Sequence, residues 1–448
     1  MKKFGILIAC AVAACAAADD SFLIRGVDVY PVTGPEVKGV SVLVQDGKIA
    51  EIGPKVVAPK GMKVVDGKGL RLYPGMIDSN TELGLSEISA ERVTVDTGEL
   101  GEFMPQLKAL SAVNPGSEHF GVVRANGITS AMTFPAAGGR GGRGGGGTQY
   151  ISGEAALIHL DGWTWEDMAI NRDAAVHLLF PSIATRGGRG GGLANVDFAD
   201  EIALLFGGGS AAGTYTEAKR QYETQVAKVT EFFDNARQYQ KERTANLPGF
   251  KKDLKFEAMI PVLEGKVPVA VPAARERAIH DAVAFAEKEH IKIVILAPQE
   301  LGKEGPELKA KNVPVIVGRT EALPENVDAP YDYAESLPGQ FYKAGVKIAF
   351  GTFDNEFSRN LPYNAARAVA YGLPYDEALK AITINPAEIW GAGDKIGSIE
   401  KGKWADLMLV NGDPLETPTQ IKALYIKGKE VDLSNKQTRL YQKYLNRP

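Results

Sequence analysis

The chain has 448 residues, 44% of them hydrophobic and 24% charged, with a formal net charge of −4. A slightly acidic balance excludes a strongly basic nucleic-acid binder, and the apolar content excludes a chain that is disordered throughout. The length is ample for a large core, and an α/β barrel can absorb about 250 residues as one unit.

Lys2 and Lys3 precede an apolar run from Phe4 to Ala14, and Ala16-Ala17-Ala18 stands before Asp19. This pattern predicts a signal peptide over 1–18 and a mature protein exported to the periplasm or beyond the cell. The run is shorter than the ~20 residues a spanning helix needs, so no membrane span is expected. Val12-Ala13-Ala14-Cys15 also has the form of a lipoprotein box, in which Cys15 would carry an anchor. Cys10 and Cys15 both lie in this segment. A chain cut after Ala18 therefore has no disulfide, thiolate ligand or cysteine nucleophile.

Residues 21–73 alternate short β-type runs with turns, and Gln45-Asp46-Gly47-Lys48 is a hairpin signal. From there strand and helix patterns alternate: GITSAMTFP, the helical ERAIHDAVAFAEKEH, then IKIVILAP, VPVIVG, GVKIAFGT and YDEALKAITINPAEIWG. Such alternation predicts βαβ units, and over 74–395 it predicts a (β/α)8 TIM-type barrel. Tyr222, Val226, Val229, Phe233 and Ala236 stand at helical spacing within 214–245. They predict a long amphipathic helix, either packed on the barrel wall or serving as a dimerisation arm. The Gly-rich runs Arg140–Gly147 and Arg186–Leu193 read as surface loops, or alternatively as an anion-binding flap. Residues 396–431 return to β-type runs with a turn at Asn411-Gly412-Asp413. The two end segments, 21–73 and 396–431, are expected to form one small composite β-sandwich, leaving 432–448 as a tail.

The segment LYPGMIDSNTELGL (Leu72–Leu85) resembles the start of the barrel in the amidohydrolase superfamily, in its imidazolonepropionase-like branch, where the motif reads PG-hydrophobic-IDxHxHxG. AITINPAEIWGAGDKIGSIEKGKWADLMLVNGDPL (Ala381–Leu415) resembles the closing signature of that family, and GVKIAFGTFD (Gly345–Asp354) its eighth strand. The resemblance covers roughly 25–430. It implies the same barrel and composite β-domain. It also implies hydrolysis of C–N bonds, usually in cyclic amides, imides or amidines, by water activated on one or two divalent metals held by imidazoles.

The chain departs from that pattern at the ligand positions. The HxH positions hold Asn80 and Glu82. Where related chains read PVxIHAHR, this one reads PVAVPAAR, with Pro272 and Ala274 at the ligand positions. The next strand ends in Leu296-Ala297-Pro298, without histidine. The eighth-strand aspartate corresponds to Phe353 or to Asp354, depending on a one-residue shift. The five histidines, His119, His159, His177, His280 and His290, include no HxH or HxxxH pair. Each reads most simply as structural or surface, although His159 could face a barrel interior.

Three readings follow, the last of them a histidine-metal hydrolase whose ligands lie at positions other than those matched above. The first is a degenerate, non-hydrolytic barrel that binds a small molecule or docks a partner, such as a second copy or an active member of the same family. The second is a hydrolase of non-peptide C–N bonds with a remodelled site. In that case Glu82 and Asp354 are the catalytic candidates, and Asn80, Arg359 and Asn360 the ligand-binding ones. No metal is assigned, with an oxygen-ligand divalent ion on Asp78, Asn80, Glu82 and Asp354 as the alternative. No nucleophile elbow of the GxSxG type occurs.

Overall fold

The computed structural model describes residues 20–136, 149–183, 215–246, 249–323 and 329–447. The predicted signal segment, both cysteines and both Gly-rich runs lie outside the described residues.

The chain opens with β1 (Phe22–Val29), β2 (Val37–Gln45), β3 (Lys48–Gly53), β4 (Lys63–Asp66) and β5 (Arg71–Pro74). Asp46 and Gly47 turn β2 into β3 with φ of 49° and 73°, the left-handed pair that a tight two-residue hairpin demands. Eight strands of a second sheet follow: β6 (Met76–Thr81), β7 (Ile128–Thr133), β8 (Ile151–His159), β9 (Ala169–Leu178), β10 (Val269–Pro272), β11 (Ile293–Leu296), β12 (Val315–Val317) and β13 (Ile348–Phe350). The chain then returns to the first sheet with β14 (Leu407–Val410), β15 (Ile421–Ile426) and β16 (Lys429–Glu430).

The first sheet runs β16-β15-β14-β5-β1-β2-β3, with β4 on β1, so both ends of the chain share it. Its buried face joins Phe22, Ile24, Val42 and Leu72 from one end to Leu407 and Tyr425 from the other. A Cβ on Gly47 would stand 2.6 Å from the Lys427 carbonyl oxygen, which shows how closely the two ends meet.

The second sheet runs β6 to β13 in chain order. It supplies the predicted eight strands with one departure: β8 pairs antiparallel with both β7 and β9. The reversal follows from the connection. A parallel crossover needs a dozen or more residues. Only residues 160–168 join β8 to β9, and their helical content is the single turn Trp165–Met168.

The interior is filled rather than hollow. Ile77, Leu157, Leu296 and Ile316 pack with small residues such as Ala270 and Ala349 and with the fully buried Trp390. Phe134 meets the Trp390 ring edge-on at 5.7 Å. Outside, the predicted long helix spans Tyr215–Ala245 and buries Val229, Phe232, Phe233, Ala236 and Tyr239. Phe232 stacks on Phe103 at 4.4 Å, and Phe233 meets Phe285 edge-on at 5.4 Å, so this stripe packs on the wall of the barrel.

At the base, His159 at the end of β8 sets Nε2 2.7 Å from Asp406 Oδ2, with both side chains buried. Asp406 Oδ1 accepts from the Lys427 N–H at 2.8 Å, so this pair ties the barrel to the first sheet. The predicted tail ends in a helix, Lys436–Leu445. Among the described residues no helix is long and apolar enough to cross a membrane.

Closure brings the segment after β13 against β6. The Phe353 N–H donates to the Asn80 carbonyl at 2.8 Å, and Thr81 Oγ1 donates to the Asp354 carbonyl at 2.5 Å. Gly351 permits this approach, since a Cβ there would lie 2.9 Å from Asn80 Cβ and 3.0 Å from Asn80 N. Gly351→Ala is therefore expected to lower unfolding stability by about 1–3 kcal/mol through overpacking of this seam. Urea denaturation reads the change as a shift of the midpoint at unchanged slope.

Candidate functional site

The mouth of the barrel lies at the C-terminal ends of its parallel strands, where folds of this kind carry their chemistry. The seam between β6 and β13 dominates it. Asp78 is fully buried in β6. Its Oδ1 accepts from the Thr352 N–H at 3.0 Å and from the Asn80 N–H at 3.2 Å, and its Oδ2 accepts from Thr352 Oγ1 at 2.5 Å. Burial pushes the Asp78 carboxyl up to about 7, while these donors pull in the opposite direction.

Phe353 stands where the strand leaves the barrel, with a left-handed φ of 53°. That conformation is rare for a bulky residue and persists only where surrounding contacts hold it. Here its N–H is bonded to Asn80, and its ring packs against the interior cluster. Ala297, just past β11, has φ of 48° and donates to the Ile316 carbonyl at 2.9 Å. Phe353 and Ala297 are thus apolar residues in left-handed backbone at the mouth ends of β13 and β11.

The sequence-predicted candidates are placed as follows. Asn80 is buried on β6 at the seam. Glu82 lies just past the end of β6 and is partly buried. Asp354 Oδ1 accepts from the N–H groups of Glu356 at 2.7 Å and Phe357 at 3.0 Å, and Oδ2 receives Arg319 at 3.5 Å. This carboxylate therefore organises the loop that follows it. Arg359 donates to the Glu356 carbonyl at 2.7 Å and lies over the Phe357 ring at 5.4 Å, turned onto that same loop. Asn360 precedes the helix Leu361–Ala370, with its N–H on the Phe357 carbonyl at 2.8 Å. Asn80 and Asp354 reach the same seam through their neighbours, the Phe353 N–H on the Asn80 carbonyl and Thr81 Oγ1 on the Asp354 carbonyl. The described contacts of Arg359 and Asn360 run within their own loop or to its neighbours rather than to Asn80.

His177 is the residue that sequence reasoning passed over. Val176 and Leu178 belong to the outer cluster, so alternation turns His177 inward at the mouth end of β9. Its Nδ1 lies 2.9 Å from the Pro135 carbonyl and 2.9 Å from Ser152 Oγ. A carbonyl can only accept, so Nδ1 carries the proton and Nε2 keeps its lone pair. Burial pushes His177 down to about 4, which leaves it neutral near pH 7. The sequence signal was the alternation of apolar residues around it in AVHLLF. The other histidines sit elsewhere: His119 Nε2 lies 2.8 Å from the Glu87 carbonyl, His159 is at the base, and His290 follows a helix end with φ of 51°.

An imidazole-held divalent ion does not fit this mouth. The positions at which the resemblance implies donors hold Asn80, Glu82, Pro272, Ala274 and the Leu296–Pro298 turn, and the eighth-strand position is Phe353 or Asp354. His177 alone, among the described residues, offers an imidazole on the inner face there. The Asp78 oxygens are already committed to Thr352 and Asn80.

Asp78 also sets a pH dependence. Its folded-state pKa is raised from 3.8 to about 7, so the folded chain holds this proton longer than the unfolded chain does. Its contribution to stability is therefore full below pH ~4 and is lost as pH rises through ~7. Asp78→Asn mimics the protonated acid and should remove that loss. The expected result is a urea midpoint whose fall between pH 5 and 8 is shallower than in the unaltered chain. Glu154, whose carboxyl burial also pushes up to about 7, titrates in the same window, so the difference between the two proteins is the quantity to read.

The family model for the amidohydrolase family matches residues 339–431. Amidohydrolase tasK of Hapsidospora irregularis is 23% identical over 415 residues, which cover 86% of this chain and 39% of that protein. The imidazolonepropionase of Phocaeicola vulgatus is 38% identical over 101 residues, or 20% of this chain and 24% of that enzyme. The chain thus spans well under half the length of these curated relatives. Among solved structures, an amidohydrolase from Thermotoga maritima MSB8 superposes with a TM-score of 0.73 at 26% identity, covering 92% of this chain and 99% of that one. With an eight-stranded barrel, a β-sheet shared by both chain ends and these matches, the chain belongs to the amidohydrolase superfamily.

Proposed function

We propose that this protein is an exported, degenerate member of its superfamily, a barrel that binds a small molecule or docks a protein partner without hydrolysing it. The observation that carries the reading is the seam. Phe353 occupies the turn out of β13 with its N–H on the Asn80 carbonyl, and Thr352 takes both oxygens of Asp78. Groups that would otherwise face a ligand ion are used to close the barrel. The partner would be a second copy or an active family member, and the N-terminal pattern Lys2 to Ala18 supports export.

A second reading is hydrolysis of a non-peptide C–N bond, such as that of a cyclic amide, through a remodelled site. It is favoured by His177, a neutral imidazole on the inner face at the mouth, and by the hydrolase names of the curated relatives. Glu82 and Asp354 would supply carboxylates for proton transfer.

The test is turnover by the mature protein, residues 19–448, on a panel of cyclic amides, imides and N-acyl amines, with and without added Zn²⁺. The expected outcome is no rate above that of buffer. Turnover that disappears in His177→Ala or Glu82→Gln would establish the second reading and overturn the first.

A further inference from the structure

Outside the barrel, three ligand-type side chains from two neighbouring βα units meet. His280 lies in the second turn of the helix Glu276–Lys288, which follows β10. Glu304 and Glu307 open the helix Gly305–Ala310, which follows β11. His280 Nδ1 is 3.6 Å from Glu304 Oε2 and 3.8 Å from Glu307 Oε2, and the three donor atoms lie within 4.8 Å of one another.

These separations are too long for hydrogen bonds. They suit atoms that share an ion: ligands about 2.1 Å from a tetrahedral centre stand roughly 3.4 Å apart. Glu304 supplies an independent sign. The residue is 8% exposed, and its Oε2 receives no hydrogen bond among the described residues. A carboxylate held that far from water normally recruits a donor or a cation. The local cation is engaged elsewhere, because Lys311 Nζ lies 2.6 Å from Glu307 Oε1, leaving Oε2 of the same carboxylate turned to His280. Glu276 adds a further negative charge close to Glu304. The His280 side chain is 56% exposed, which gives an ion a route in and leaves room for water as a remaining ligand.

We propose that His280, Glu304 and Glu307 form a binding site for one divalent transition-metal ion of the Zn²⁺ type on the outer wall of the barrel, bridging the helices that follow β10 and β11. One imidazole and two carboxylates favour Zn²⁺ or Mn²⁺ over Mg²⁺, which prefers an all-oxygen octahedral shell with several waters. The site is separate from the β6–β13 seam and shares no residue with it. An ion there would add to the Lys311–Glu287 pair, 2.9 Å apart, that already links these two helices.

The test uses untagged mature protein, stripped with chelator and titrated with Zn²⁺ in a calorimeter, with thermal unfolding as a second readout. The expected result is one Zn²⁺ per chain and a rise of several degrees in Tm. Affinity should fall at least tenfold in both His280→Ala and Glu304→Gln, and His119→Ala should bind as the unaltered chain does. His280 is largely exposed, so its alanine variant should fold and keep the test valid even if Glu304→Gln does not. Absence of Zn²⁺ binding at micromolar concentrations would overturn the proposal. So would binding that survives His280→Ala, or binding that is lost in Glu82→Gln instead.

Discussion

The structure depends on how β13 meets β6. A barrel removes its exposed strand edges only if its first and last strands approach closely. Here the approach is made by Gly351, which admits Asn80, and by Thr352, which bonds both oxygens of the buried Asp78. Without those donors Asp78 would be a carboxylate in an apolar interior, a state that costs several kcal/mol. Even with them its proton is held up to about 7, so burial outweighs the hydrogen bonds in this balance.

Closure and chemistry draw on the same residues at this place. In the family that the chain belongs to, the mouth end of the first and last strands is where the resemblance implies ligand-bearing side chains. In this chain Asn80 and Phe353 bond to one another through their backbones. Phe353 adopts left-handed backbone and lays its ring on the interior cluster, and Asp354 turns its carboxylate onto the amides of Glu356 and Phe357. The base is tied as firmly: His159 and Asp406 join the barrel to the sheet formed from both ends of the chain. Both ends of the barrel are thus held by buried polar contacts, the β6–β13 seam at the mouth and the His159–Asp406 pair at the base.

Much of the fold was legible because apolar periodicity carries it. The Asp46-Gly47 turn, the long helix with Val229, Phe233 and Ala236 on its buried stripe, and the strand at IVIL all follow from local pattern. The reversal of β8 was not legible, because strand direction depends on the length of chain between apolar runs and leaves no mark on the runs themselves. The loss of imidazoles at Asn80 and Glu82 could be read directly. The orientation of His177 could not, since a histidine in an apolar strand faces in or out according to register. Phe353 and Asp354, the two alternatives for the eighth-strand aspartate, stand in different surroundings that only coordinates show. Thr352 bonds to Asp78, Phe353 follows with its N–H on Asn80, and Asp354 falls beyond as a loop-forming carboxylate. The meeting of His280 with Glu304 and Glu307 joins residues 24 and 27 positions apart, a distance no local motif spans.

The proposed function requires that the mouth of this barrel hold no catalytic ion. Crystals of the mature chain grown with Zn²⁺, with anomalous scattering recorded on either side of the zinc absorption edge, would test it most directly. No anomalous peak is expected within bonding distance of Asn80, Glu82, His177 or Asp354. A peak there, held by any of those side chains, would contradict it and return the chain to the metal-dependent hydrolases.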